Sequence, residues 1–224
     1  MIAITVSTNY DDILNMILPQ NAPFFNKWYI ITHIEDKATK EVIKKYKFNN
    51  VECLYYNFYA NNKVFNKGGA IKNCQLYLSS LNYEGDILLL DSDIYLPDNF
   101  NEIINKKVIK ENTLYGPEKR LDYHSLESFH NDKVDDNVYK PEEFLGFFQL
   151  YKNNKKLLYK DSENCSQCDL DFIDLFKDKI IIDNLIVKHL GKARINWDGR
   201  KLDIEKKKEI ELKRSKARII KMKF

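Results

Sequence analysis

Residues 85–97 read GDILLLDSDIYLP, an apolar run that ends abruptly in two carboxylates, Asp91 and Asp93, with only Ser92 between them. An apolar run without polar alternation describes a strand buried in the middle of a sheet. Three earlier runs, IAITVS, WYIITHI and VECLYYNF, repeat the theme. Each gives way to a polar stretch and then to a segment of helical spacing. The first of these, DDILNMILPQNAPFF, predicts a short helix stopped by Pro19, and the second is KATKEVIKKYK. The third, NNKVFNKGGAIKNCQLYLSSL, predicts a loop with two glycines and then a helix. Strands alternating with helices predict βαβ units, hence an α/β fold with a mainly parallel central sheet flanked by helices.

The position of the two acids carries chemistry. Open α/β sheets bind ligands at the carboxyl ends of their strands. Two carboxylates there, with no basic residue nearer than Lys72 upstream or Lys106 downstream, repel each other unless a cation or protons settle them. Mg²⁺ and Mn²⁺ prefer carboxylate oxygens and are commonly completed by substrate phosphates. The segment is therefore expected to hold a metal and a diphosphate. Asp-Ser-Asp is also good turn and N-cap chemistry, so the motif alone leaves both readings open.

Beyond Pro97 the pattern changes. A helix and a strand are expected over 98–120, then a polar loop, HSLESFHNDKVDDNVYK. After it come a strand in FLGFFQLYKN, an amphipathic helix opened by acids in DLDFIDLFKDKI, and strand, turn and strand in IIIDNLIVKHLG. No repeat and no Pro, Gly or Ser-rich linker divides the chain, so one catalytic domain over 1–200 is expected.

With 224 residues and 44% hydrophobic content there is ample material for a core. No run approaches the roughly 20 apolar residues of a membrane span. The first residues lack a basic stretch and a cleavage site, so a cytoplasmic protein is expected. Four cysteines, Cys53, Cys74, Cys165 and Cys168, are too few for a disulfide framework. The net charge of +3 is uneven, with ten Lys/Arg against four acids over 201–224. That basic segment is expected to form a helical tail, packed on the domain or touching anionic lipid head groups. No nucleic-acid module accompanies it, so nucleic acid is not an expected partner.

Taken together, these pieces resemble the GT-A fold of nucleotide-sugar glycosyltransferases, in particular the family-2-like group, over most of 1–200. The resemblance rests on Ser7, Thr8, Asn9 and Tyr10 after the first strand, and on Asp36, or else Glu35, after the second. It rests further on FNKGGAIKN with Asn66, Lys67, Gly68, Gly69 and Asn73, on the DxD of Asp91, Ser92 and Asp93, and on GFFQLYKN at 146–153. The helix opened by Asp169 and Asp171 and the later His189, Gly191 and Trp197 complete it. The helix reads Cys-Asp-Leu-Asp where the family more often has Glu-Asp, which leaves the base open between Asp169 and Asp171, with Asp169, nearer the N-terminal end, the first choice.

The resemblance implies a nucleotide-sugar half over about 1–97 and an acceptor half over about 98–200. It implies a metal-dependent transfer of a sugar from a nucleoside diphosphate, by family habit a UDP-sugar, to a glycan, lipid-linked or protein acceptor, with inversion. Residues 7–10, Asp36, Asn66, Lys67, Gly68, Asn73, Asp91 and Ser92 would contact the donor. Asp91, Asp93 and His189 would serve Mn²⁺ or Mg²⁺, of which Mn²⁺ tolerates imidazole better. Lys67 and Arg194 would meet phosphate, and Trp197 and Tyr151 would stack on sugar or pack in the core. Two rivals stand beside this. A sugar-phosphate nucleotidyltransferase would need a Gly-rich, basic loop after the first strand, whereas the first glycine here is Gly68. A non-catalytic carbohydrate-binding protein of the same fold has no use for four acid and imidazole groups retained together.

Overall fold

The computed structural model describes residues 1–136, 139–144, 146–163, 165 and 167–191. The basic segment 201–224, Arg194 and Trp197 lie outside them. The first half runs β1 (Ile2–Val6), α1 (Asp11–Asn21), β2 (Lys27–Thr32), α2 (Lys37–Tyr46), β3 (Val51–Tyr55), α3 (Lys67–Ser80) and β4 (Asp86–Leu90). The second runs β5 (Ile94–Tyr95), α4 (Phe100–Ile104), β6 (Thr113–Tyr123), α5 (Leu126–His130), β7 (Phe148–Lys152), α6 (Cys168–Ile173) and β8 (Asp178–Leu190). All eight strands form one sheet in the order β3-β2-β1-β4-β7-β6-β8-β5.

The expected α/β domain is present, with a sheet that is mixed. β3, β2, β1 and β4 are mutually parallel and β6 is parallel to β8, whereas β7 runs antiparallel to both β4 and β6, and β5 to β8. Alternate residues of the central strands feed two cores. Ala3, Trp28, Ile30, Leu88 and Leu90 pack with α1 on one face. Ile4, Tyr29, Ile31, Ile87 and Leu89 pack with α3 and α6 on the other. Both faces are covered, which is why β4 reads as an unbroken apolar run.

Several boundaries differ from the sequence expectation for identifiable reasons. α1 does not stop at Pro19 but continues to Asn21. Proline removes the donor that would reach the carbonyl of Asn15, and the Tyr46 hydroxyl donates to that carbonyl at 2.7 Å instead. Gly68 and Gly69 lie in the first turn of α3 rather than in a loop. The expected turn in IIIDNLIVKHLG is a kink inside a continuous β8, where Asn184 takes φ 62° opposite a register shift at Pro117/Lys119 of β6. Ser125 caps α5 within the segment expected to be loop. α6 is only six residues long, because the chain reenters the sheet at Asp178. Among the described residues no helix is long and apolar enough to cross a membrane.

The turn after the acids is held from below. Asn21, fully buried at the end of α1, donates to the Ile94 carbonyl at 2.8 Å and accepts from the Leu96 amide at 3.0 Å. Asn21→Leu leaves both backbone groups of the β5 segment buried and unmet, at about 1–3 kcal/mol each. The expected result is a loss of about 2–5 kcal/mol in urea unfolding with an unchanged m-value.

Candidate functional site

β4 delivers its acids into a fork. The Asp91 amide donates to the Phe147 carbonyl at 3.0 Å, anchoring the turn to the β7 entry. The Asp91 side chain turns one way, to Lys67, and Asp93 turns the other, to His189.

On the first side, the Lys67 ammonium lies 2.9 Å from Asp91 Oδ1 and 3.1 Å from Asp169 Oδ2. Burial alone would favour neutral Lys67, but Asp169 and Asp91 outweigh it and hold its pKa well above the ordinary lysine value. Burial pushes Asp91 up to about 6 against the opposing pull of Lys67, with Asp169 and Asp93 adding to the rise. Asp169 is held at both oxygens, by Lys67 and by the Tyr159 hydroxyl at 3.0 Å from Oδ1. Asp171 instead accepts from Gln167 at the surface. Of the two candidate bases, only Asp169 therefore joins the acids of β4.

Two glycines permit this closeness. A Cβ at Gly68 would stand 2.1 Å from the Lys160 carbonyl, and one at Gly146 would stand 2.1 Å from Asp169 Cγ. At Gly146 the backbone runs directly against Asp169, and at Gly68 the first turn of α3 runs against the backbone of Lys160. The Gly68 amide also donates to Ser162 Oγ at 3.0 Å, fixing the start of α3.

On the second side, strand register does the positioning. β5 pairs Ile94 with His189, and β6 pairs Asp122 with His189. His189 Nε2 lies 3.3 Å from Asp93 Oδ2 and Nδ1 lies 2.6 Å from Asp122 Oδ1. Arg120 pairs with Asp122 at 3.1 Å and stacks over Phe147 at 4.8 Å. Burial would lower the His189 pKa, but Asp93 and Asp122 win and lift it to about 9.

Sequence reasoning did not find Asp122 or Arg120. Their signal is an Arg and an Asp two apart in the strand segment KRLDY, where two charges share one face of a buried strand.

The remaining expected donor contacts divide. The Ser7 and Thr8 hydroxyls are buried beside the carboxyl end of β1 without a protein partner among the described residues, an arrangement that suits a ligand. Ser92 is buried between the two arms of the fork. Tyr10 lies in the core beneath α1. Asp36 caps α2 through the Thr39 amide and also accepts from Thr32, the Thr39 hydroxyl and the Asn9 amide, so its carboxylate is engaged within the fold. Glu35 points outward. Asn66 caps α3, accepting from Gly69 and Ser162 and donating to Tyr56 and Asp161. Asn73 is exposed and lines a lateral cavity, and Tyr151 is core.

The residues expected to serve a metal divide between the two arms of the fork. Among the described residues, no group of three or more His, Cys, Asp or Glu side chains is arranged to hold a metal ion. Asp93 and His189 alone fit two neighbouring positions: adjacent corners of an octahedron with bonds of about 2.1 Å are about 3 Å apart, close to the 3.3 Å seen. The Asp122 contact at Nδ1 orients the ring so that Nε2 faces Asp93. Asp91 faces Lys67 instead.

No protein-family model matches the chain, and no curated protein sequence matches it significantly. Solved structures match over most of its length. A 4-diphosphocytidyl-2C-methyl-D-erythritol synthase superposes with TM-score 0.48 at 14% identity, covering 94% of this chain and 96% of that one. HddC from Yersinia pseudotuberculosis gives 0.47 at 14%, covering 85% and 90%. The inositol-1-phosphate CTP transferase from T. maritima gives 0.47 at 9%, covering 94% of each. The likeness is one of fold.

The His189 pKa of about 9, against an unfolded 6.5, means its ion pairs stabilise the chain fully below pH 6.5 and are lost as pH rises through 9. Between those values, chemical denaturation should show wild type losing stability with pH more steeply than His189→Gln, other titrations cancelling in the comparison. Parallel curves would refute the pairing.

Proposed function

We propose that the chain is a transferase that seats a nucleoside diphosphate over the carboxyl ends of β1 and β4, and that it transfers the attached sugar. One observation carries this reading: Asp169 is locked at both oxygens, directly beside the first acid of the DxD, through a shared buried lysine. An acceptor hydroxyl is a poor nucleophile and needs a positioned carboxylate to take its proton. Asp169 is that group, with Lys67 and Tyr159 fixing its orientation. A direct displacement of this kind inverts the anomeric centre.

Asp93 and His189 would hold the divalent cation. When bound, Mn²⁺ or Mg²⁺ neutralises charge developing on the departing diphosphate. Lys67 adds a fixed positive charge at the same end of the sheet, and the buried Ser7 and Thr8 hydroxyls offer hydrogen bonds to the donor. Asp91, at about 6, is poised to accept from a sugar or ribose hydroxyl. The donor favoured by the resemblance is a UDP-sugar, and the acceptor is a glycan, a lipid-linked sugar or a protein.

The second reading is nucleotidyl transfer from a nucleoside triphosphate to a sugar phosphate. It keeps the same acids, and the inositol-1-phosphate CTP transferase of like fold is named for such a reaction. What sets it second is the loop between β1 and α1. Residues 7–10 hold neither a glycine nor a basic residue to cradle a triphosphate.

One assay separates the two. With Mn²⁺ and a panel of nucleotide sugars, purified protein should release nucleoside diphosphate. With triphosphates and sugar 1-phosphates it should release no pyrophosphate. Pyrophosphate alone establishes the second reading, and silence in both arms removes the transferase assignment. Asp93→Ala should abolish Mn²⁺-dependent nucleotide binding in calorimetry. Asp169→Asn should keep donor binding while transfer falls by about 10² or more, with Asp171→Asn remaining active.

A further inference from the structure

A cavity of about 350 Å³ opens on the flank of the domain, between α3 and the edge strand β3. Its walls follow from two periodicities. Glu52 and Leu54 alternate along β3, Tyr56 follows just past its end in the same alternation, and Tyr55, beneath the Lys40 ammonium at 5.2 Å, also borders the cavity. On α3, Ala70, Asn73, Cys74 and Tyr77 fall at i, i+3, i+4 and i+7 and form one stripe facing that strand.

A stripe so placed on an ordinary surface helix is filled by large aliphatic residues. Here Ala70 and Cys74 are too short to reach across, and Asn73 and Tyr77 are polar at their tips. Among the described residues β3 pairs only with β2, so no further strand closes the gap. The cavity is separate from the acid cluster: Lys67, Asp91, Asp93, Asp169 and His189 are all absent from its lining.

The lining selects the chemistry of an occupant. No described residue lining the cavity is basic, and Glu52 brings a carboxylate already paired with Lys27 at 2.6 Å, so a phosphate or other anion is disfavoured. The Cys74 thiol, raised to about 12 by burial, is an inert part of the floor. What remains is an apolar floor of Ile31, Leu54 and Ala70, an exposed tyrosine whose ring is steadied edge-on by Tyr29 at 5.9 Å, and a carboxylate and a carboxamide at the rim. An aromatic face for C–H groups beside paired hydrogen-bonding groups for hydroxyls matches a sugar ring, which is apolar on its faces and polar around its edge.

We propose that this cavity binds a neutral saccharide unit. Identifying that unit as part of the acceptor glycan rests on the glycosyl-transfer reading, but the binding itself does not. The Tyr56 hydroxyl at the cavity wall accepts from Asn66, the cap of the helix that begins with Lys67.

The test is direct binding to the full chain, read by saturation-transfer NMR and by amide shifts of the ¹⁵N-labelled protein. The probes are cellobiose, lactose and N,N′-diacetylchitobiose, with uridine as control. At least one disaccharide should bind at millimolar concentration and shift the Asn73 and Tyr77 amides. Tyr77→Ala and Asn73→Ala, both at exposed positions, should weaken it about tenfold or more. No binding by any of the three disaccharides overturns the proposal, as does equal affinity in both variants. If uridine shifts the same amides, the cavity is a nucleoside site and the proposal also falls. None of these readouts uses donor turnover, so a failed transferase assay leaves the result interpretable.

Discussion

The ammonium of Lys67 lies between Asp91 at the end of β4 and Asp169 at the start of α6, and it ties α3 to two elements whose acids otherwise repel at that point. Two carboxylates beside a third, Asp93, cannot all remain charged in a partly buried site without a counter-ion. The desolvation cost of burying the lysine is outweighed because both partners lie within hydrogen-bond distance. Breaking such a pair from one side costs about 3–5 kcal/mol, since the remaining charge is left uncompensated. The close backbone passages at Gly68 and Gly146 are the steric condition for this arrangement.

What could be read from the sequence is what local pattern encodes. The ILLL run of β4 with its acids, the helical segments between apolar runs, and the acid-opened α6 all follow from periodicity and strand-end logic. What could not be read depends on distant partners. Pro19 looks like a helix stop until Tyr46, 27 positions later, supplies the missing donor to Asn15. Asp122 and His189 are 67 residues apart and meet only through the β6–β8 register. Asp36, a base-binding candidate by resemblance, also caps α2 and accepts from the Asn9 amide across 27 residues of chain. Strand-end logic located Asp91 and Asp93 and helix position favoured Asp169 over Asp171, but the Lys67 ammonium that joins Asp169 to Asp91 is seen only in the fold.

The mixed sheet also has a positional logic. A purely parallel sheet would bring every strand end to one rim. The reversed β7 lies beside β4, so its entry, with Phe147 and Gly146, arrives at the same rim as the exit of β4. β5 then turns back antiparallel to β8 and presents Asp93 to His189, with the Leu190 amide donating to the Asp93 carbonyl at 2.8 Å. The antiparallel strands are therefore what convert a single DxD turn into a fork with partners on both arms.

The charges on that fork differ between its arms. Lys67, Asp91 and Asp169 together carry one negative charge when all three are ionised. Asp93, Asp122, His189 and Arg120 are neutral together while His189 keeps its proton, as its pKa of about 9 implies near neutral pH. Losing that proton turns the second arm negative and brings the whole fork to two negative charges, the complement of a divalent cation. The same imidazole thus serves two states: protonated, it bridges Asp93 and Asp122 and keeps the buried acids compatible with folding. Deprotonated, it would leave Nε2 free beside Asp93 with Asp122 still at Nδ1, the arrangement that the proposed cation would need.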